Sequence, residues 1–163
     1  MTIKILVTGG TFDKEHDPIS EKFIFNETHV PELLQISRSL LDIKVRTLML
    51  IDSLDITEAD QDIIVKSCIN AKEDRLVITH GTSNMEKTAQ ILGTQIKNKT
   101  IVLTGAMVPY TFSRSDALFN MGTALAFVQT LPHGVYIAMN GKYYMWDNVT
   151  KNTQLGIFEE KRN

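Results

Sequence analysis

The residues whose type and spacing could do chemistry are hydroxyls beside glycines at the ends of apolar runs. Thr8-Gly9-Gly10-Thr11 closes the run Ile3–Val7, His80-Gly81-Thr82-Ser83 closes Leu76–Thr79, and Thr104-Gly105 closes Ile101–Leu103. Glycine permits a tight turn and a close approach of backbone to a ligand. A hydroxyl in such a turn is a weak nucleophile until an adjacent base takes its proton. A lysine whose pKa is lowered by burial can be that base, and turn N–H groups can hold an oxyanion. The pattern points to hydroxyl-based acyl transfer, and it leaves open which lysine serves. Taken singly, the glycines read as ordinary turn residues and Thr82 and Ser83 as helix caps. Three such turns on one sheet edge favour a site.

Other chemistries lack their residues. Gly9-Gly10 has no third glycine of a dinucleotide fingerprint, and no phosphate loop of the Gly-Lys-Thr/Ser type occurs. His16, His29, His80 and His133 have no metal-ligand spacing. Neither a cofactor nor a metal is therefore expected. Cys68 is the only cysteine, so no intrachain disulfide can form, and its helical setting reads as a small buried hydrophobe. A net charge of −2 gives no basic footprint for nucleic acid. No apolar stretch approaches the ~18 residues of a membrane span, and the N-terminus carries no signal-peptide pattern. A cytoplasmic protein without membrane or nucleic-acid partners is the expectation.

The elements that must position these turns follow from periodicity. With 163 residues and 43% apolar side chains, the chain reads as one globular domain over 1–163. Strands are expected at Ile3–Val7, Asp42–Ile51, Leu76–Thr79, Ile101–Thr104 and Gly134–Met139. Helices are expected from near Thr28–Pro31 with Pro31 in the first turn, from Thr57 as N-cap with Asp60 three residues on, behind Ser83 and Glu86 at capping-box spacing, and over Asp116–Gln129. Phe12–Glu27 is charged and aperiodic and reads as a long loop, and the chain past Met139 reads as turns. Tyr136, Tyr143, Tyr144 and Trp146 are either contact anchors for another subunit or a cover for the core's open edge. Short apolar strands alternating with helices imply an α/β three-layer sandwich, with a mainly parallel, open sheet and helices on both faces. In such a sheet ligands bind outside the carboxyl ends of the strands, so the glycine turns should meet there.

These segments also resemble the signatures of the bacterial-type L-asparaginase family, in family order. Thr8–Thr11 resembles the first signature. His80-Gly81-Thr82 with Met85-Glu86 and Thr88-Ala89 resembles the second. Gly105-Ala106-Met107 with Pro109, Asp116 and Asn120 follows, and Val149–Thr153 resembles the segment that supplies a catalytic lysine. The resemblance implies hydrolysis of asparagine or a related small carboxamide through a threonine acyl-enzyme, without a cofactor. It implies Thr11 as nucleophile, and Thr82 and Lys151 as its catalytic partners. Ser53 falls where the family holds the substrate's α-carboxylate, and Gly10, Gly81 and Ser83 would shape the pocket. It also implies a homodimer or higher oligomer.

The sequence departs from the family in three respects. Ser83 and Asn84 stand where the family carries aspartate and threonine, so the carboxylate that grips the substrate's ammonium is missing. The loop after Thr11 has Phe23 and Phe25 but no tyrosine, and the usual C-terminal domain is absent from the sequence. A non-catalytic small-molecule-binding module of the same fold is the alternative these departures motivate.

Overall fold

A computed structural model describes residues 1–161. Its main sheet is built from β1 (Ile3–Gly9), β4 (Ile43–Ile51), β5 (Arg75–Thr79), β6 (Thr100–Thr104), β7 (Gly134–Met139) and β8 (Lys142–Met145). The strand order is β4-β1-β5-β6-β7-β8. All pairings are parallel except β7 with β8. The chain moves from β1 outward to β4, then crosses back to β5 on the other side of β1. That reversal creates a switch point between β1 and β5, the place at the strands' carboxyl ends where open α/β sheets bind their ligands.

Burial on both faces explains why the central strands are nearly continuous apolar runs. On one face, Leu6, Leu76, Ile78, Ile101 and Leu103 pack against α2 (Glu58–Asn70) and α3 (Met85–Gln95). On the other, Ile3, Ile5, Val7, Val77 and Val102 pack against α1 (Val30–Ile36) and α4 (Ala117–Thr130). Alternate residues of β1 thus feed two separate cores. Thr57 caps α2 reciprocally with Asp60, as its spacing predicts. Cys68 is fully buried, and burial pushes its thiol up to about 12, which leaves it unreactive.

Two expectations need correction. Phe12–Glu27 is not a structureless loop. It holds a short 3-10 turn, Thr11–Asp13, and an antiparallel hairpin of β2 (Glu15–Asp17) and β3 (Lys22–Ile24). The Asp17 carboxylate accepts from Ile19 N, Ser20 N and Ser20 Oγ and so closes that hairpin's turn. The segment past Met139 is likewise more than turns. Asn140 and Gly141 both adopt positive φ, 54° and 83°, as a two-residue hairpin turn of the twisted sheet demands. They launch β8, and β9 (Thr150–Asn152) then pairs with β10 (Ile157–Glu159). Among the aromatics, Tyr136 and Tyr144 are buried in the two cores, Trp146 packs against one of them, and Tyr143 is exposed.

Candidate active site

The carboxyl ends of β1, β4 and β5 meet in direct contact. Gly10 has φ +74°, a conformation that side chains resist. A Cβ on Gly10 would lie 2.4 Å from Gly81 N and 2.5 Å from Gly81 Cα. A Cβ on Gly81 would lie 2.5 Å from Ser53 Oγ. The three backbones are therefore stacked as closely as glycine allows, and Gly10 N donates to Ile51 O at 2.9 Å to fix the first turn. Thr11 and Thr82 are the residues that directly follow the two touching glycines. Gly105 closes the other side, since its Cβ would meet His80 O at 2.3 Å.

Lys151 reaches these turns from β9. Its Nζ lies 2.8 Å from Thr82 Oγ1. Burial pulls the ammonium's pKa below the ordinary lysine value, and the Glu86 carboxylate works against that shift. Glu86 also accepts a hydrogen bond from Lys151 N, which anchors β9 to α3. This overturns the capping-box expectation for Ser83 and Glu86. The N-cap of α3 is Asn84 and it has no side-chain capping bond, because Glu86 is turned to the lysine. Asn84 instead donates from Nδ2 to Ser53 O at 2.8 Å, joining the turn after β5 to the turn after β4. The Thr82 hydroxyl also faces Met107 Sδ at 3.6 Å.

Behind the Gly81–Thr82 turn lies a buried polar chain. Gln61 Nε2 donates to Thr88 Oγ1 at 2.8 Å, and Thr88 Oγ1 sits 2.8 Å from His80 Nε2. His80 Nδ1 is 2.8 Å from Gly81 O. A carbonyl can only accept, so the proton belongs on Nδ1 and the Thr88 hydroxyl donates to Nε2. Burial depresses the imidazole's pKa to about 4, which keeps the ring neutral near pH 7. A second network holds the turn after β6. The Asp116 carboxylate accepts from Met107 N, Val108 N and Asn120 Nδ2, and Asn120 Nδ2 also donates to Gly105 O.

The chain matches the family model described as Asparaginase, N-terminal, over residues 2–158. It is 33% identical to the L-asparaginase of Thermococcus kodakarensis over 162 residues, which is 96% of this chain and 49% of that protein. The chain belongs to the asparaginase family. It is also 33% identical to L-asparaginase 2 of Escherichia coli, over 95% of this chain and 47% of that one. The solved thermostable L-asparaginase from Thermococcus kodakarensis superposes with a TM-score of 0.87 at 31% identity, covering 98% of this chain and 51% of that structure. A probable cytoplasmic L-asparaginase from Campylobacter jejuni gives 0.83 at 31%, covering 97% and 52%. The chain thus spans about half the length of the relatives it matches.

Within this asparaginase fold, the structure brings together Gly10, Ser53, Gly81, Thr82 and Lys151, with Thr11 on the adjoining turn. Ser53 is only 2% exposed and lies against Gly81, whereas Ser83 is exposed in the turn that leads into α3. Sequence reasoning did not reach the contact of Met107 with Thr82, Asn84's bond to Ser53, or the His80–Thr88–Gln61 chain. Only His80 carried a signal for the last, as a polar residue directly after the strand Leu76–Thr79; Gln61 stands between Asp60 and Asp62 and looks like any exposed polar residue. Among the described residues no cluster of His, Cys, Asp and Glu could hold a metal ion, and no helix is long and apolar enough to cross a membrane.

Proposed function

We propose that this asparaginase-family chain is an amidohydrolase that converts a small carboxamide to the acid and ammonia through a threonine acyl-enzyme. The observation that carries this reading is the 2.8 Å bond between Lys151 Nζ and Thr82 Oγ1, made beside the Gly10–Thr11 turn. A neutral lysine reverses the direction of that bond, so that the Thr82 hydroxyl donates to the amine. The pair is then a base poised at these turns.

In the proposed reaction, Thr11 Oγ attacks the carboxamide carbon, and turn N–H groups beside Gly10 hold the oxyanion. The proton released by the Thr11 hydroxyl is passed to the amide nitrogen, the C–N bond breaks, and the nitrogen leaves as ammonia. Water then attacks the ester. The Lys151–Thr82 pair draws off the water's proton, the acid departs, and the Thr11 hydroxyl is restored. The L-asparaginase names of the relatives make asparagine the first substrate to assay, in a cytoplasmic homo-oligomer whose assembly is checked by light scattering.

A second assignment exchanges the hydroxyls. Lys151 is bonded to Thr82, not to Thr11, and this favours Thr82 as the attacking group. Both assignments are tested by ammonia release from an amide panel, with Thr11→Val and Thr82→Val variants and mass spectrometry of the trapped ester. The first expects the ester on Thr11 and no turnover in Thr11→Val. Ammonia release from no amide by the folded protein would leave the binding-module alternative.

A further inference from the structure

A ligand ammonium taken out of water into a crevice needs a carboxylate to meet it. The carboxylates on the elements that build this site are bonded elsewhere, buried out of a ligand's reach, or exposed to solvent. Asp52 accepts from Lys14 Nζ through Oδ2 at 2.5 Å and from Leu54 N through Oδ1 at 3.0 Å. Glu86 accepts from Lys151 N. Asp116 is bonded to Met107 N and Val108 N, both at 3.0 Å, and to Asn120 Nδ2 at 2.9 Å. Asp13 is fully buried, so a ligand does not reach it; its Oδ1 accepts from Thr28 Oγ1 and His29 N, and its Oδ2 has no partner among the described residues. Asp55 lies in open solvent, where an ion pair is worth little.

The side chains left to a ligand are neutral or cationic. They are the hydroxyls of Thr11, Ser53, Thr82 and Ser83, and the Lys151 amine. Asn84 has already committed its amide nitrogen to Ser53 O. A protonated Lys151 repels a second ammonium placed beside it, and the carboxylate next to it, Glu86, is already engaged by Lys151 through its backbone N–H and its charge.

Resting on the amidohydrolase reading, we infer that the substrate is a small carboxamide without an ammonium group, of the succinamate type. Succinamate differs from L-asparagine only in lacking the α-ammonium, so the pair isolates that one charge.

The experiment measures binding of succinamate and L-asparagine to the folded Thr11→Val variant by calorimetry at pH 7, and ammonia release from both by the unaltered protein. The expected result is a Kd at least tenfold lower for succinamate, with the same order in kcat/KM. Asparagine binding as tightly or more tightly overturns the inference, as does binding of neither. Succinamate preference in the variant with no ammonia release by the unaltered protein keeps the ligand class and removes the amidohydrolase reading. Ser83→Asp supplies a carboxylate next to Thr82 and is expected to narrow the succinamate preference at least threefold. An unchanged ratio with retained fold removes Ser83 from the selectivity.

Discussion

Lys151 Nζ donates to Thr82 Oγ1 across 69 positions of sequence, from a two-stranded ribbon to the end of a central strand. The ribbon is held in place because Glu86 accepts from Lys151 N, so one carboxylate both anchors the lysine and holds its charge. Burial and Glu86 act on the amine in opposite directions, with burial the larger.

The first prediction concerns that opposition. Turnover that needs neutral Lys151 rises with pH through a pKa below the ordinary lysine value of 10.5. Glu86→Gln keeps an acceptor for Lys151 N but removes the negative charge that favours the ammonium. The lysine pKa then falls further, and the ascending limb of the kcat/KM profile moves to lower pH. A limb that stays put, in a folded variant, would show that another group sets it. Lys151→Met should cost at least ~10²-fold in kcat, the low end for loss of a general base.

The second prediction concerns His80. Its folded pKa of about 4 lies below the 6.5 of an exposed histidine, so the unfolded chain binds more protons between those values. Stability should be fully present above about pH 6.5 and should decline as pH falls toward 4. The loss is on the order of 3 kcal/mol, at 1.36 kcal/mol per pKa unit. Urea unfolding from pH 7 to 4.5 measures it. His80→Asn should be less stable at pH 7 by about 1–3 kcal/mol, from the unsatisfied partners, yet show a shallower decline with acid. An equally steep decline in the variant would assign the pH dependence elsewhere.

These groups explain what the sequence disclosed and what it hid. The Thr57–Asp60 cap, the apolar strands and the glycine turns are local patterns, and each formed where its spacing placed it. Lys151 is not local. Only the resemblance to a family segment pointed to it, because nothing in spacing relates it to Thr82. Ser83 and Glu86 misled for the same reason, since a tertiary partner, Lys151 N, outcompetes the cap. The β2–β3 hairpin went unseen because it is half-buried or exposed along both strands and so carries no apolar alternation. The polar chain at His80 is specified by three residues on three elements, which no window along the sequence can span.

The third prediction concerns the hairpin after Thr11. Lys14 ties its base to Asp52, and Phe23 tilts onto Phe112 with ring centroids 5.9 Å apart. Asp52 is held below the usual carboxylate range, chiefly by Lys14. Asp52→Asn removes the ion pair but keeps an acceptor for Leu54 N. The pair is part-exposed, so global stability should drop by no more than ~1 kcal/mol. Hydrogen exchange over residues 14–24 should nevertheless quicken. Unchanged exchange there would mean that the aromatic contact alone holds the hairpin.

The last prediction sets two glycines against each other. Gly10 has φ +74°, and a Cβ there would fall 2.4 Å from Gly81 N, a backbone atom that cannot swing aside. Gly10→Ala must either push the two turns apart or strain both. Strain at such a site costs about 1–3 kcal/mol, and the displacement separates Thr11 from Thr82. Loss of ammonia release should therefore exceed what the stability change explains. Gly122 sits inside α4, where an added Cβ meets nothing within 4 Å. Its replacement by alanine removes unfolded-chain entropy without a clash, so Gly122→Ala should gain about 0.5–1 kcal/mol. The two variants differ by the same single methyl group, measured in one chain by one denaturant titration. Opposite signs would show that the close approach of the Gly10 and Gly81 turns is a structural requirement of the site. A Gly10→Ala protein as stable as the parent would mean the turns have room to spare, and the contact that brings Thr11 beside Thr82 would then be looser than the backbone stacking indicates.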